Sequence, residues 1–240
     1  MEHGIILAPE VLGHIQGLPI TNTLITSWIV MVILIVLTLI TSSKVRLVPA
    51  FFLQNIFEII VETGYSTVEG LAHQKTRVFF PIVMTFFLYI LFANLLGLFP
   101  GFTTITYLKA PLFRSMSSDL NMTLGLALIS AFLTHAFALK YLGVIDYLKR
   151  WFTLNPIFLF VGLLELVGEV TKVVSLSFRL FGNIFAGEVV LATISTIFAF
   201  IIPLPFYFLE IIVGFVQAAV FAMLTLVFMV LLTEKHGEEH

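Results

Sequence analysis

One basic side chain lies where membrane-spanning chains rarely place one. Arg179 falls deep inside an apolar run covering residues 156–200. At a bilayer centre a guanidinium costs roughly 2.5–3.5 kcal/mol on insertion scales, and about 10–17 kcal/mol on an isolated helix. Such a cost marks a functional group with a partner. With the run taken as α-helix, Glu165, Glu169, Lys172 and Asn183 lie within about 80° of Arg179. Glu188, nine residues on, is about 180° round. The helix therefore has two working faces, one with a fixed cation and one with a carboxylate. On the next apolar segment Glu210 and Gln217 are seven apart and nearly aligned, with Gly214 between them to allow close approach. Intramembrane carboxylates usually line wet cavities, so Glu188 and Glu210 are candidates for one hydrated proton pathway. As purely structural residues they would be a satisfied polar pair stabilising the bundle.

Arginine suits a fixed role because its pKa, above about 12, keeps it charged and prevents it from relaying protons. Brought past such a charge, an acid loses its proton on one side and regains it on the other, each unit of pKa shift being worth about 1.36 kcal/mol. A desolvated lysine could deprotonate and let protons slip through. No acid on the Arg179 face lies at the same depth, since Glu165 and Glu169 are two to four turns away. The missing anion is expected on another molecule. Lys172 is equally suited to pairing with Glu169 at i, i+3.

Composition sets the stage for these residues. Sixty per cent of the 240 residues are hydrophobic and 11% charged, with a mean hydropathy of +1.10. A soluble domain carries about a quarter charged residues. With no cysteine there is neither a disulfide framework nor a thiolate metal site. The net charge of −2 and the lack of a basic patch give no sign of nucleic acid. No P-loop or Walker-type glycine run is present, so no nucleotide chemistry and no cofactor are expected. The N-terminal stretch carries Glu2 and Glu10 and has no Lys or Arg before Lys44, unlike a signal peptide.

The elements that must position the charges follow from the apolar windows. The expected architecture is an all-α, polytopic single membrane domain over residues 1–240. It has about five transmembrane helices, one interfacial amphipathic helix and a long, strongly tilted helix. The first span is 24–40. Residues 49–74 put Gln54, Glu58, Glu62, Glu69 and His73 on one stripe, which suits a helix in the inner interface, with Gly64 a candidate break; the other reading is a span whose polar face is buried in the bundle. Spans follow at 78–99, where Asn94 and Gly97 read as helix-packing positions, and at 120–141, opened by Ser118 or Asp119 as an N-cap. Asp119 has a second reading at a channel mouth. His135 reads as a hydrogen-bonded polar residue on a face with Thr123, Ser130 and Thr134, because no second histidine at depth offers a haem its other axial ligand. A perpendicular 156–200 helix of about 67 Å would exceed a hydrocarbon core of about 30 Å, so it must tilt, lie along the membrane or bend. The last helix is 204–233. Lys44, Arg46, Lys75, Arg77, Lys140, Lys149, Arg150 and Lys235 fall on one side of this topology and only Lys109 and Arg114 on the other. That places the N-terminus outside and the C-terminus in the cytoplasm. No internal repeat suggests a transporter of inverted halves.

The run S-L-S-F-R-L-F-G-N-I-F-A-G-E, residues 175–188, resembles the signature of subunit a of the F-type ATP synthases. The likeness extends through N-M-T-L at 121–124 and E-I-I-V-G-F-V-Q-A-A-V-F-A-M-L-T at 210–225, and covers most of the chain from about residue 44. It implies a non-hydrolytic stator subunit providing two offset proton half-channels beside a rotating ring, with ATP chemistry in other subunits. It further implies that Arg179 is the essential arginine and that Asn183, Glu188 and Gln217 match positions of proton passage. Glu210 falls where relatives have a histidine or an acid, and Glu165 belongs to the inner half-channel. Lys172, Glu169 and Asp119 are secondary candidates. The implied partners are the acidic membrane hairpins of the subunit c ring, peripheral-stalk subunit b and the lipid bilayer. The implied location is a bacterial plasma membrane, an organelle inner or thylakoid membrane being the other setting. The alternative reading is a self-contained ion or solute transporter, which would need its counter-anion within this one chain.

Overall fold

The computed structural model describes residues 9–15, 17–43, 52–99, 101–102, 105–107, 110–151, 156–197 and 201–234. Lys44, Arg46, Lys109 and Lys235, used above as topology markers, lie outside the described residues. Among the described residues seven α-helices follow one another: α1 (Asn22–Ser43), α2 (Phe52–Ala72), α3 (Thr76–Gly97), α4 (Leu120–Leu142), α5 (Val144–Trp151), α6 (Pro156–Ile197) and α7 (Pro203–Thr233). Two small antiparallel hairpins, unforeseen from the sequence, pair β1 (Val11–Ile15) with β2 (Leu18–Thr21) and β3 (Thr106–Tyr107) with β4 (Ala110–Pro111). The fold is thus the expected all-α, polytopic class.

Among the described residues four helical stretches are long and apolar enough to cross a membrane: Asn22–Ser43, Gln54–Gly97, Leu120–Leu142 and Pro203–Thr233. The remaining long helix, α6, runs 42 residues and carries Glu165, Glu169, Lys172, Arg179 and Glu188. Pro203 and Pro205 sit in the first turn of α7, where a missing N–H costs nothing. Their fixed φ starts the returning helix.

The bundle core is built by α3, α4, α6 and α7. Phe86, Ile90 and Leu91 of α3 share one buried cluster with Leu176, Leu180 and Ile184 of α6, Ala127 of α4, and Ala218 and Phe221 of α7. Hydroxyl pairs tie the same helices: Thr123 Oγ1 lies 3.1 Å from Ser177 Oγ (α4–α6), and Ser130 Oγ 2.8 Å from Thr225 Oγ1 (α4–α7). In lipid, where helix association gains little from the hydrophobic effect, such bonds and close packing hold helices together.

Of the polar stripe expected on α2, Glu58, Glu62 and Glu69 are exposed, whereas Gln54 is buried and His73 falls in the turn after the helix. Val68 and Ala72 are buried with Phe79 and Val83 of α3 and Ala222, Leu226 and Met229 of α7. The reversal falls at a 3₁₀ turn, His73–Lys75, with His73 at φ 45°. Gly64, the candidate break, does not interrupt α2. It receives the Met84 sulfur, which stands only 2.6 Å from where a Cβ would be, so the glycine serves close approach instead of helix termination.

Candidate functional site

The burial pattern of α6 fixes which way its charges point. Leu176, Ser177, Leu180, Ile184 and Leu191 are buried and define the face turned into the bundle. Arg179 and Asn183 are exposed on the other side, in a stripe with Ala186 and Val190. Successive positions at i, i+4, i+7 and i+11 align along one edge of a helix. Among the described residues Arg179 makes no ion pair. Its guanidinium therefore faces away from its own bundle, and its anion is not in the described part of this chain.

The carboxylates sit on the opposite side. Glu210 is 6% exposed on α7, and its Oε1 has no hydrogen-bond partner. Its carboxyl group occupies the space that a Cβ at Gly187 would fill, so the bare α-carbon of Gly187 is what admits it between α6 and α7. The next residue, Glu188, interacts with Glu210, with the Ser118 hydroxyl and with the Arg114 guanidinium. Arg114 Nε in turn donates to Ser118 Oγ at 3.2 Å. The two acids singled out from the sequence thus lie within electrostatic reach of one another beside the α6–α7 contact.

A polar column flanks this pair. Asn94 of α3 donates from Nδ2 to the Gly214 carbonyl at 3.0 Å and accepts at Oδ1 from Ser117 Oγ at 2.6 Å. Gly214 lets Asn94 this close, its absent Cβ lying 3.1 Å from Asn94 Cβ. Gly97 likewise makes room for Ser115. Both α3 positions are packing positions, as read from the sequence. Gln217 is half-buried, two turns along α7 from Glu210.

Asp119 takes the capping role. It is buried, accepts from the Asn121 amide at 2.9 Å as the N-cap of α4, and accepts from Thr23 Oγ1 at 2.8 Å. It thereby anchors the start of α1 to the start of α4.

Two of the residues grouped with Arg179 behave differently from it. The ideal-helix wheel put Glu169 and Lys172 on the Arg179 face, but their charged ends turn inward. Lys172 Nζ donates to Glu169 Oε1 at 2.6 Å and lies 4.8 Å from the centre of the Phe228 ring of α7. The i, i+3 pair expected between them is formed. Glu169 Oε2 faces His135 Nε2 of α4 at 3.9 Å, and His135 Nδ1 is 3.0 Å from the Tyr147 hydroxyl of α5. A wheel places Cα atoms, whereas a lysine reaches round its helix to the nearest acid. Glu165 is half-buried one turn before Glu169.

Sequence reasoning missed Gly187, Arg114, Ser117 and Ser118. A glycine beside an acid inside an apolar helix was the one available signal. The loop residues become neighbours of Glu188 only through tertiary structure.

The family described as ATP synthase A chain matches residues 24–230. ATP synthase subunit a of Legionella pneumophila is 31% identical over 214 residues, which is 89% of this chain and 87% of the relative. That of Moorella thermoacetica is 31% identical over 92% of this chain and 94% of its own length. That of Desulforamulus reducens is 34% identical over 95% of this chain and 85% of its own. With an all-α membrane bundle, an outward arginine on α6 and a match over most of its length, this chain belongs to the ATP synthase A chain family.

Proposed function

We propose that the chain is the proton-translocating stator subunit of a rotary ATP synthase, and that Arg179 is the fixed charge which each carboxylate of a rotating ring must pass. The observation that carries this reading is the outward Arg179, exposed beside Asn183 and unpaired among the described residues. The partner is a ring of subunit c hairpins seated against the exposed stripe of α6. Peripheral-stalk subunit b holds the stator still.

A protonated ring acid crosses lipid as a neutral group. Next to Arg179 its charged form is favoured, so it releases its proton there. It passes the guanidinium as a carboxylate and is then reprotonated. Protons reach the ring from outside past Ser117 and Ser118, by way of Glu188 and Glu210, with Asn183 and Gln217 lining the passage. They leave inward through the Glu165 end of α6. The two routes are offset because the arginine and the acids occupy different faces of one helix. Rotation follows because a proton gains about 2.3 kcal/mol per 100 mV in crossing. The chain works as a multi-pass protein of a bacterial plasma membrane, with its N-terminus outside.

Replacing Arg179 with alanine should abolish ATP-driven proton pumping in membrane vesicles while the complex still assembles. Retained pumping would defeat the mechanism.

A further inference from the structure

The string Tyr147–His135–Glu169–Lys172 has no part in holding the ring acid or in the outer route, yet it joins three helices. It begins on α5, beside the exposed pair Lys149–Asp146, and ends on α6 two turns before Arg179. The Lys172 backbone lies within about 20° of the Arg179 stripe on an ideal wheel, while its ammonium reaches round to Glu169 at 2.6 Å. The ion pair therefore links the rotor-facing edge of α6 to the interior of the bundle. Beside it is a small cavity with room for a single water, whose polar lining is Ser130, Thr134, Glu169 and Lys172. His135 is 30% exposed and Glu169 14%, so His135 is the more accessible of the two. The titratable or polar groups facing His135 are Glu169 and Lys172 from α6 and Tyr147 from α5, with the Trp151 ring centre 6.4 Å away.

We propose that His135 is a proton relay of the inner route, passing protons between Glu169 and the inner aqueous side, with Tyr147 as the residue that positions its ring. This rests on the stator reading above. With Nδ1–H donated to Tyr147 Oη, the Nε2 lone pair faces Glu169 and takes the proton that reaches this carboxylate from the ring acid, returning Glu169 to the ionised form that pairs with Lys172. The 3.9 Å gap is closed by one water or a small turn of the side chain. The imidazolium then releases that same proton from Nε2 to a water on the inner side, while Tyr147 Oη keeps accepting from Nδ1–H and holds the ring in place. One proton has crossed, and His135 is back in the neutral Nδ1–H tautomer in which it began. Lys172 keeps its charge throughout and holds Glu169 in place through the other carboxylate oxygen.

The test uses the complete complex in vesicles, with passive proton flux under an imposed potential as the readout. His135→Gln retains hydrogen-bonding atoms but cannot relay a proton, and its flux should fall about tenfold or more, general acid–base groups contributing typically 10²–10⁴-fold. His135→Ala should be slow as well, and imidazole supplied on the inner side should restore it. Pyrazole, of the same shape but far less basic, should not. Full flux in the glutamine variant would overturn the relay, as would failure of imidazole to rescue the alanine variant. Arg179→Ala, run in parallel for ATP-driven pumping, separates the two ideas. If it pumps, the stator mechanism fails; if it does not pump while His135→Gln conducts normally, only the relay fails.

Discussion

Gly187 shows how one missing methyl group can set a charge. A Cβ there would fall on the Glu210 carboxyl, and the group in its way is the far end of a flexible side chain. Gly187→Ala should therefore cost the fold little, while pushing the Glu210 carboxylate away from Glu188. The expected result is an assembled complex whose passive proton flux falls several-fold. Unchanged flux would mean that the position of Glu210 is unimportant. Arg179 was legible in the sequence because a guanidinium in an apolar run is anomalous against its surroundings. Gly187 was only faintly so: a glycine beside an acid in an apolar helix is a signal, but its meaning lies in a contact with the following helix. Asp119 was half-legible. Its place just before an apolar run gave the capping role, but the bond from Thr23, which makes it a tie between α1 and α4, is a long-range contact.

At the scale of elements, hydrophobic runs marked α1, α3, α4, α6 and α7 to within a few residues, because a lipid-facing helix needs apolar residues all round its circumference. Exposed Trp28, Ile35, Leu39, Phe132 and Phe208 show that requirement in the structure. The short α5 stayed hidden. Its charged residues read as an inner loop, and it is held by Trp151 against Ala138 and Leu232, which no local pattern reveals. The end of α7 depends on a similar long-range contact. Lys75, in the turn between α2 and α3, donates from Nζ to the Thr233 carbonyl at 2.9 Å and to Thr233 Oγ1 at 3.0 Å, and lies 5.0 Å from the centre of the Tyr141 ring. A cation on the last carbonyls of a helix satisfies an acceptor that the helix cannot, and opposes its dipole. Lys75→Met keeps the aliphatic stem and removes the donor. The opening free energy of the last turn of α7 should fall by roughly 1.5–3 kcal/mol, the usual worth of a hydrogen bond to a charged group. Amide exchange at Val230–Glu234 would then quicken about tenfold or more, while the middle of α7 stays protected. Equal protection in both proteins would show that the clamp is idle.

For the whole molecule, the decisive feature is that Glu188 and Glu210 sit between the helices of the bundle while Arg179 stands on its outer surface. A transporter complete in one chain would turn Arg179 toward an anion of its own, and the buried face of α6 instead presents Leu180 and Ile184 to α3 and α7. The exposed stripe of Arg179, Asn183, Ala186 and Val190 extends about 16 Å along the helix axis at 1.5 Å per residue. That length is half the hydrocarbon thickness of about 30 Å, enough to meet the middle of a neighbouring membrane helix. The chain has no cysteine, so single cysteines can be introduced without background. Asn183→Cys and Val190→Cys should each crosslink to a small acidic hairpin protein of the ring, carrying a matching cysteine near its membrane carboxylate. Ser177→Cys and Ile184→Cys, on the buried face, should not, although they differ from the first pair by only a few positions. Capture at all four sites would indicate a helix free to turn. Capture at none, in an assembled complex, would leave Arg179 facing lipid alone. At the cost of a bare guanidinium there, that arrangement has no physical support, so the crosslinking pattern bears directly on where the missing anion resides.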